Sequence, residues 1–147
     1  MSSSSSSSNS HRQGGESLLP RDEAAIVWGM EKIVDACHGA AVKGGWWSDL
    51  KTGESIVGLR NVGELLCLVH SEISEAMEAH RKNLMDDKLP HRRGIEVELA
   101  DAIIRICDLA GAHNLDLGGA IVEKMNYNAQ REDHRIENRK AAGGKAY

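Results

Sequence analysis

Four carboxylates stand where a helix should be apolar. In HSEISEAMEAH, residues 70–80, Glu72 and Glu75 lie one helical turn apart. In EVELADAIIRICD, residues 96–108, Glu98 and Asp101 repeat that spacing. At 100° per residue, Leu66, Val69, Ile73, Ala76 and Met77 make one arc, which Leu65 and Leu68 widen. Glu72 falls inside the widened arc and Glu75 at its edge, whereas Glu78 turns away. The second segment is apolar on two sides. Ile95, Leu99, Ala102, Ile103, Ile106 and Leu109 form one face, and Val97, Ala100, Ile104 and Cys107 the other. A helix of that kind is expected to be covered on both sides. Glu98, Asp101, Arg105 and Asp108 nevertheless run along it as one charged stripe.

Desolvating a carboxylate costs several kcal/mol unless a positive group compensates it. Arg105 can pair with Asp101 or Asp108, but one guanidinium does not neutralise four acids. A divalent cation does. Two helices that each present carboxylates at i and i+3 form an oxygen-lined pocket when packed together, and oxygen ligands suit Mg²⁺, Mn²⁺ or Ca²⁺. A di-iron bundle would ask for Glu-x-x-His on two helices. Here Glu75 and Asp101 occupy the positions where histidine would be needed.

The positioning elements follow from apolar spacing and punctuation. Pro20 and Asp22 open a first helix, which Gly44 and Gly45 close. A connector holding Trp46 and Trp47 leads to a second helix, NVGELLCLVHSEISEAMEAHRKNLM. The loop DDKLPHRRG follows, then a third helix from Ile95 to about Gly111. Asn114 or Asp116 opens the fourth, LGGAIVEKMNYNAQRED. On it Leu117, Ile121 and Met125 face inward, with Lys124 and Asn128 in the same sector and Arg131 at its border. Inward cations beside a carboxylate cluster suit an anion such as phosphate. No strand pattern of useful length occurs, so the expected class is all-α. Residues 1–19 read as a disordered Ser-rich tail, 20–135 as the helical domain and 136–147 as a polar tail.

The bulk numbers agree with this class. The chain has 147 residues, no Phe and 3% aromatics, so its core must be aliphatic. Its net charge of −4 argues against a partner that is a nucleic-acid polymer. Cys37, Cys67 and Cys107 form no CxxC or CxxH pair, so no zinc site or disulfide framework is legible. No apolar run approaches the roughly 20 residues of a membrane span, and no secretory apolar region is present. The expected location is cytoplasmic.

Taken together, HSEISEAMEAH, EVELADAIIRICDLAGAHNLDL and KMNYNAQR resemble the MazG-like all-α nucleoside triphosphate pyrophosphohydrolases, over roughly residues 60–133. The resemblance rests on Glu-x-x-Glu, a spacer, Glu-x-x-Asp and then Lys-x-x-x-Asn-x-x-Arg. The short Gly-Gly-Lys near the end is a lesser likeness to compact members. Ser71 stands where a Glu is more usual, and Gly118 and Gly119 weaken the start of the last helix. The resemblance implies a four- to five-helix bundle assembled as a homodimer or homotetramer. It implies hydrolysis of a (d)NTP to the monophosphate and pyrophosphate, with Mg²⁺, or Mn²⁺ in its place, held by Glu72, Glu75, Glu98 and Asp101. One of these carboxylates would activate water. Lys124 and Arg131 would take up phosphate charge, and Asn128 would orient the nucleotide. Trp46 and Trp47 would contact either a base or a second subunit. Two rivals accompany this reading: a phosphoribosyl-ATP pyrophosphohydrolase on the same scaffold, and a metal-stabilised helical interaction module without turnover.

Overall fold

A computed structural model describes residues 17–144. The greater part of the expected N-terminal tail, residues 1–16, lies outside them, as does Lys145 of the Gly-Gly-Lys segment. The protein is all-α. Its helices are α1 (Pro20–Lys43), α2 (Val62–Lys82), α3 (Gly94–Ala112), α4 (Leu117–Gln130) and α5 (Ile136–Lys140), with 3₁₀ turns at Val57–Leu59 and Glu132–His134. Among the described residues β-pairing is confined to the isolated bridges Ser48–Ser55 and Met85–Arg93. No described helix is long and apolar enough to cross a membrane.

The described chain divides into two units, one of residues 28–118 and one holding the described residues up to Val27 and from Gly119 onward. In the first unit, the seam between α2 and α3 is the main helix–helix contact. Its ends are set locally. The Asn61 side chain accepts from the backbone N–H groups of Gly63 and Glu64, capping the start of α2. Asn83 closes the helix in the left-handed region at φ 51°. The next turn is fixed by Asp86, a buried carboxylate that accepts from the N–H groups of Lys88 and Leu89 at 3.0 and 2.5 Å. α3 then begins at Gly94, where a Cβ would come within 2.9 Å of that of Ala79. Glycine is what lets the two helices approach so closely.

Alanine continues this close packing. The buried residues of α2 are Glu72, Ala76 and Ala79, and those of α3 are Gly94, Ala102, Cys107, Ala110 and Ala112. Ala79 meets Gly94, and Glu72 meets Arg105 further along, so the helices run antiparallel. The large aliphatic residues expected to form the core are instead largely outside it. Leu66, Ile73 and Met77 of α2, and Leu99, Ile103, Ile104 and Ile106 of α3, are 38–58% exposed. The two-sided apolar character of α3 is therefore real, and the described residues leave much of it exposed. α1 also has no buried residue, and Trp28 is 64% exposed.

In the second unit, the Asn126 side chain ties the start of α1 to α4. It donates to Glu23 at 2.6 Å and accepts from the Leu18 N–H at 2.8 Å. Residues 136–140, expected within a polar tail, form the short α5. It follows the 3₁₀ turn, where Asn138 donates to the Glu132 carbonyl at 2.6 Å.

Candidate metal centre and adjoining cavity

Close approach of α2 and α3 brings Glu72, Glu98 and Asp101 together, each offering a carboxylate oxygen within 4.8 Å of the others. Glu72 is only 6% exposed. Glu75, the fourth acid expected in the set, is exposed and stands outside this trio. It is still near enough to act on Glu98. The Glu98 carboxyl is pushed above its ordinary range, first by burial, then by the negative charges of Glu75, Glu72 and Asp101 and by a hydrogen bond with Glu72.

Among the described residues one ion pair reaches the trio. Arg105 Nε donates to Glu72 Oε1 at 2.6 Å. The sequence points to Asp101 or Asp108, one turn away on the same helix, as partners of Arg105. The observed pairing crosses to α2 because Glu72 is the most deeply buried of these carboxylates and has most to lose if left uncompensated. One guanidinium against three carboxylates leaves the cluster negative. An oxygen-only donor set of this size and sign fits a hard divalent cation.

The cluster opens onto a cavity of about 490 Å³, to whose lining Asp101 and Arg105 both contribute. Leu65, Leu68, Ile104 and Leu109 give it apolar walls, and Trp46, Trp47, Arg60 and Asp108 complete the polar and aromatic side. The two tryptophans have different environments. Trp46 is 68% exposed, whereas Trp47 is 3% exposed. Trp47 is fixed by the loop after it, in which the Asp49 carboxylate accepts from the N–H groups of Lys51 and Thr52 at 2.8 Å each. The backbone of Ile56 then returns to the Trp47 carbonyl at 3.0 Å. The Trp47 ring lies under Arg60, whose Cζ is 4.9 Å from its centroid. Arg60 also donates to the Trp46 carbonyl at 3.0 Å.

Beneath the cavity lies a network that the sequence pattern did not reveal. Asp108 Oδ1 accepts from Trp47 Nε1 at 2.7 Å and from His38 Nδ1 at 2.8 Å. His38 and His113 both meet the Trp47 ring edge-on, at 5.7 and 6.4 Å. Asp108 was legible as the last member of the α3 stripe. Its partners come from α1 and the connector, 70 and 61 residues away in sequence, so no local spacing announces them.

The remaining expected ligand-binding residues belong to the other unit. Lys124, expected inward, is exposed, with its Nζ 4.8 Å from the Tyr127 ring centroid. Asn128 is half-buried, and its Oδ1 is buried with no hydrogen-bond partner. Arg131 falls just beyond the end of α4 and pairs with Asp133 through two bonds of 2.9 and 2.6 Å. This pairing holds the Arg131 guanidinium above even its usual range.

No protein-family model matches the chain, and neither curated proteins nor solved structures give a match.

Proposed function

We propose that the protein is a divalent-metal-dependent nucleotide pyrophosphohydrolase, cleaving a nucleoside triphosphate to the monophosphate and pyrophosphate. The reading joins the resemblance of the Glu-x-x-Glu and Glu-x-x-Asp segments to MazG-like enzymes with one observation, the Glu72–Glu98–Asp101 trio at the edge of a cavity large enough for a nucleoside. Glu72, Glu98 and Asp101 would hold Mg²⁺, or Mn²⁺ in its place, which when bound neutralises charge on the phosphates and polarises a phosphoryl oxygen. Phosphoryl transfer needs positioning and charge neutralisation more than a covalent nucleophile, and a metal-holding carboxylate cluster would supply both. Glu75 is exposed beside the trio and uncommitted to it, so it is the carboxylate assigned to take the proton of an attacking water. Arg105 stabilises buried Glu72 and so holds one wall of the cluster in place. The proposal draws on residues of one unit. Lys124, Asn128 and Arg131, to which the resemblance gives phosphate and nucleotide contacts, belong to the other unit and carry no part of it.

A second copy of the chain belongs to the same reading. Leu99, Ile103 and Ile106 on α3, with Leu66, Ile73 and Met77 on α2, are exposed on the helices that carry the acids. An apolar surface of this extent is characteristic of an interface, so the working form is a homodimer or a larger homo-oligomer.

The test is pyrophosphate release from a panel of canonical (d)NTPs with Mg²⁺, with EDTA, and with the Glu98→Gln variant. Release that needs metal and is lost in the variant is expected. Cleavage of phosphoribosyl-ATP alone would move the activity to that substrate. Absence of turnover on every nucleotide would sink the enzyme reading in favour of a metal-stabilised interaction module.

A further inference from the structure

Asp108 has one carboxylate oxygen spent and one unspent. Oδ1 takes both the Trp47 and the His38 N–H groups, at 2.7 and 2.8 Å. A carboxylate only accepts, so Nδ1 of His38 carries the proton. Among the described residues Oδ2 has no hydrogen-bond partner, although Asp108 lines the cavity and its side chain is only 21% exposed. The two arginines of the cavity are already engaged, Arg60 with the Trp46 carbonyl and the Trp47 ring, Arg105 with Glu72. Oδ2 is thus a fixed, charged acceptor without a donor, among apolar walls and beside an exposed tryptophan.

We propose that Asp108 is a specificity-determining residue that accepts a hydrogen bond from the exocyclic amine of a nucleobase in this cavity. The substrate class is nucleotides of 4-aminopyrimidines and 6-aminopurines. The inference rests on the reading of the adjoining cluster as a nucleotide site. An amine N–H donates to Oδ2. A carbonyl at the same ring position, as in uracil, thymine or hypoxanthine, brings lone pair against lone pair. Flat heteroaromatic rings suit the rest of the cavity, where aliphatic side chains supply area and Trp46 a stacking face. Only one oxygen is available, so a single donor is read.

Matched mononucleotides test this without turnover or metal. Calorimetric titration of the full chain with dCMP against dUMP, and with dAMP against dIMP, compares amine with carbonyl on bases that differ further only in the proton on the neighbouring ring nitrogen. Tighter binding of the amine member of each pair by at least about tenfold is expected, the yield of one charge-assisted hydrogen bond. Asp108→Asn keeps Oδ1 for Trp47 and His38 and replaces Oδ2 with an NH₂ donor, so the preference should reverse towards dUMP and dIMP. Should that variant fail to fold, the wild type is titrated with the pyrimidin-2-one deoxyribonucleotide, which lacks the amine and should bind about tenfold more weakly than dCMP. Equal binding within the pairs, an equal loss for all four in the folded variant, or no binding of any at millimolar concentration would overturn the assignment. The two readings fail separately. Selective dCMP binding with no triphosphate cleaved removes the hydrolase and leaves Asp108 its role. Cleavage of dCTP and dUTP, and of dATP and dITP, at equal rates does the reverse.

Discussion

The acids of α3 sit in two regions of one unit, and the two are compensated in different ways. Asp108 is held by two ring N–H donors that aim at one oxygen. Glu98 and Asp101, up to a few turns earlier, lie against Glu72 with a single guanidinium among them. The Oδ1 end of Asp108 is satisfied by fixed ring N–H dipoles, which leaves Oδ2 for the cavity. A cluster in which burial, and after it like charge, holds a carboxyl above its usual range stores electrostatic strain that an incoming cation relieves. Under the proposed function, recognition would fall to one end of the cavity and charge handling to the other.

The largest effect should come from breaking the strained end. Glu98→Gln removes one oxygen ligand and one charge, so pyrophosphate release should fall to the level of the EDTA control. The variant should still melt cooperatively by circular dichroism. A variant that keeps wild-type turnover would break the comparison at its first step.

Glu75→Gln comes next. Because Glu75 is outside the trio, its loss should leave metal binding intact and remove only the proton acceptor. Turnover should fall by about 10²–10⁴-fold, the range for a lost general base. Saturating Mg²⁺ should still stabilise the variant, by about 2.7 kcal/mol at a hundredfold excess over Kd, as ligand linkage requires. Loss of both turnover and the Mg²⁺-dependent shift would instead make Glu75 a fourth ligand.

What could be read from the sequence divides along a similar line. The helices were legible because Pro20, Asp22 and the Gly44-Gly45 pair punctuate segments with apolar residues at helical spacing. Three of the four acids could be grouped because i, i+3 pairs on two consecutive helices must meet if those helices pack. The packing itself was misjudged. Gly94, Ala76, Ala79 and Ala102 make the seam, while the branched residues chosen as core remain exposed, since a rule that ranks side chains by hydrophobicity overlooks the small residues needed for close approach. Arg105 was misassigned because helical spacing reports neighbours on one helix and is silent about the next. The His38–Asp108–Trp47 network lay beyond reach for the same reason, its partners being distant in sequence and brought together by tertiary structure alone.

Stability should separate the two ends more gently than activity does. Asp108→Ala leaves the Trp47 N–H, at the edge of a 3% exposed ring, without its acceptor. A cost of about 1–3 kcal/mol is expected, present with or without metal. Chemical denaturation in EDTA and in Mg²⁺ measures it. The corresponding loss for Glu98→Gln should appear only in Mg²⁺. In EDTA this variant should be at least as stable as the wild type, because it has shed a repelled charge.

The smallest effect is a pH dependence, and its sign follows from Glu98. Folding raises the affinity of this carboxyl for its proton, so the folded chain binds more protons than the unfolded one between the ordinary glutamate range and the raised value. Stability contributed by Glu98 is then fully present below the ordinary range and is lost as pH rises through the raised one. In EDTA, the difference in stability between wild type and Glu98→Gln should therefore shift in favour of the wild type as the solution is acidified. Thermal melts from the ordinary glutamate range upward would record it. Saturating Mg²⁺ should reverse the dependence, since a cation held by the ionised carboxylate competes with its proton and is lost as pH falls. A slope of unchanged sign in Mg²⁺ would mean that the cation binds elsewhere. The same series of melts would then separate a strained metal centre from a merely buried acid.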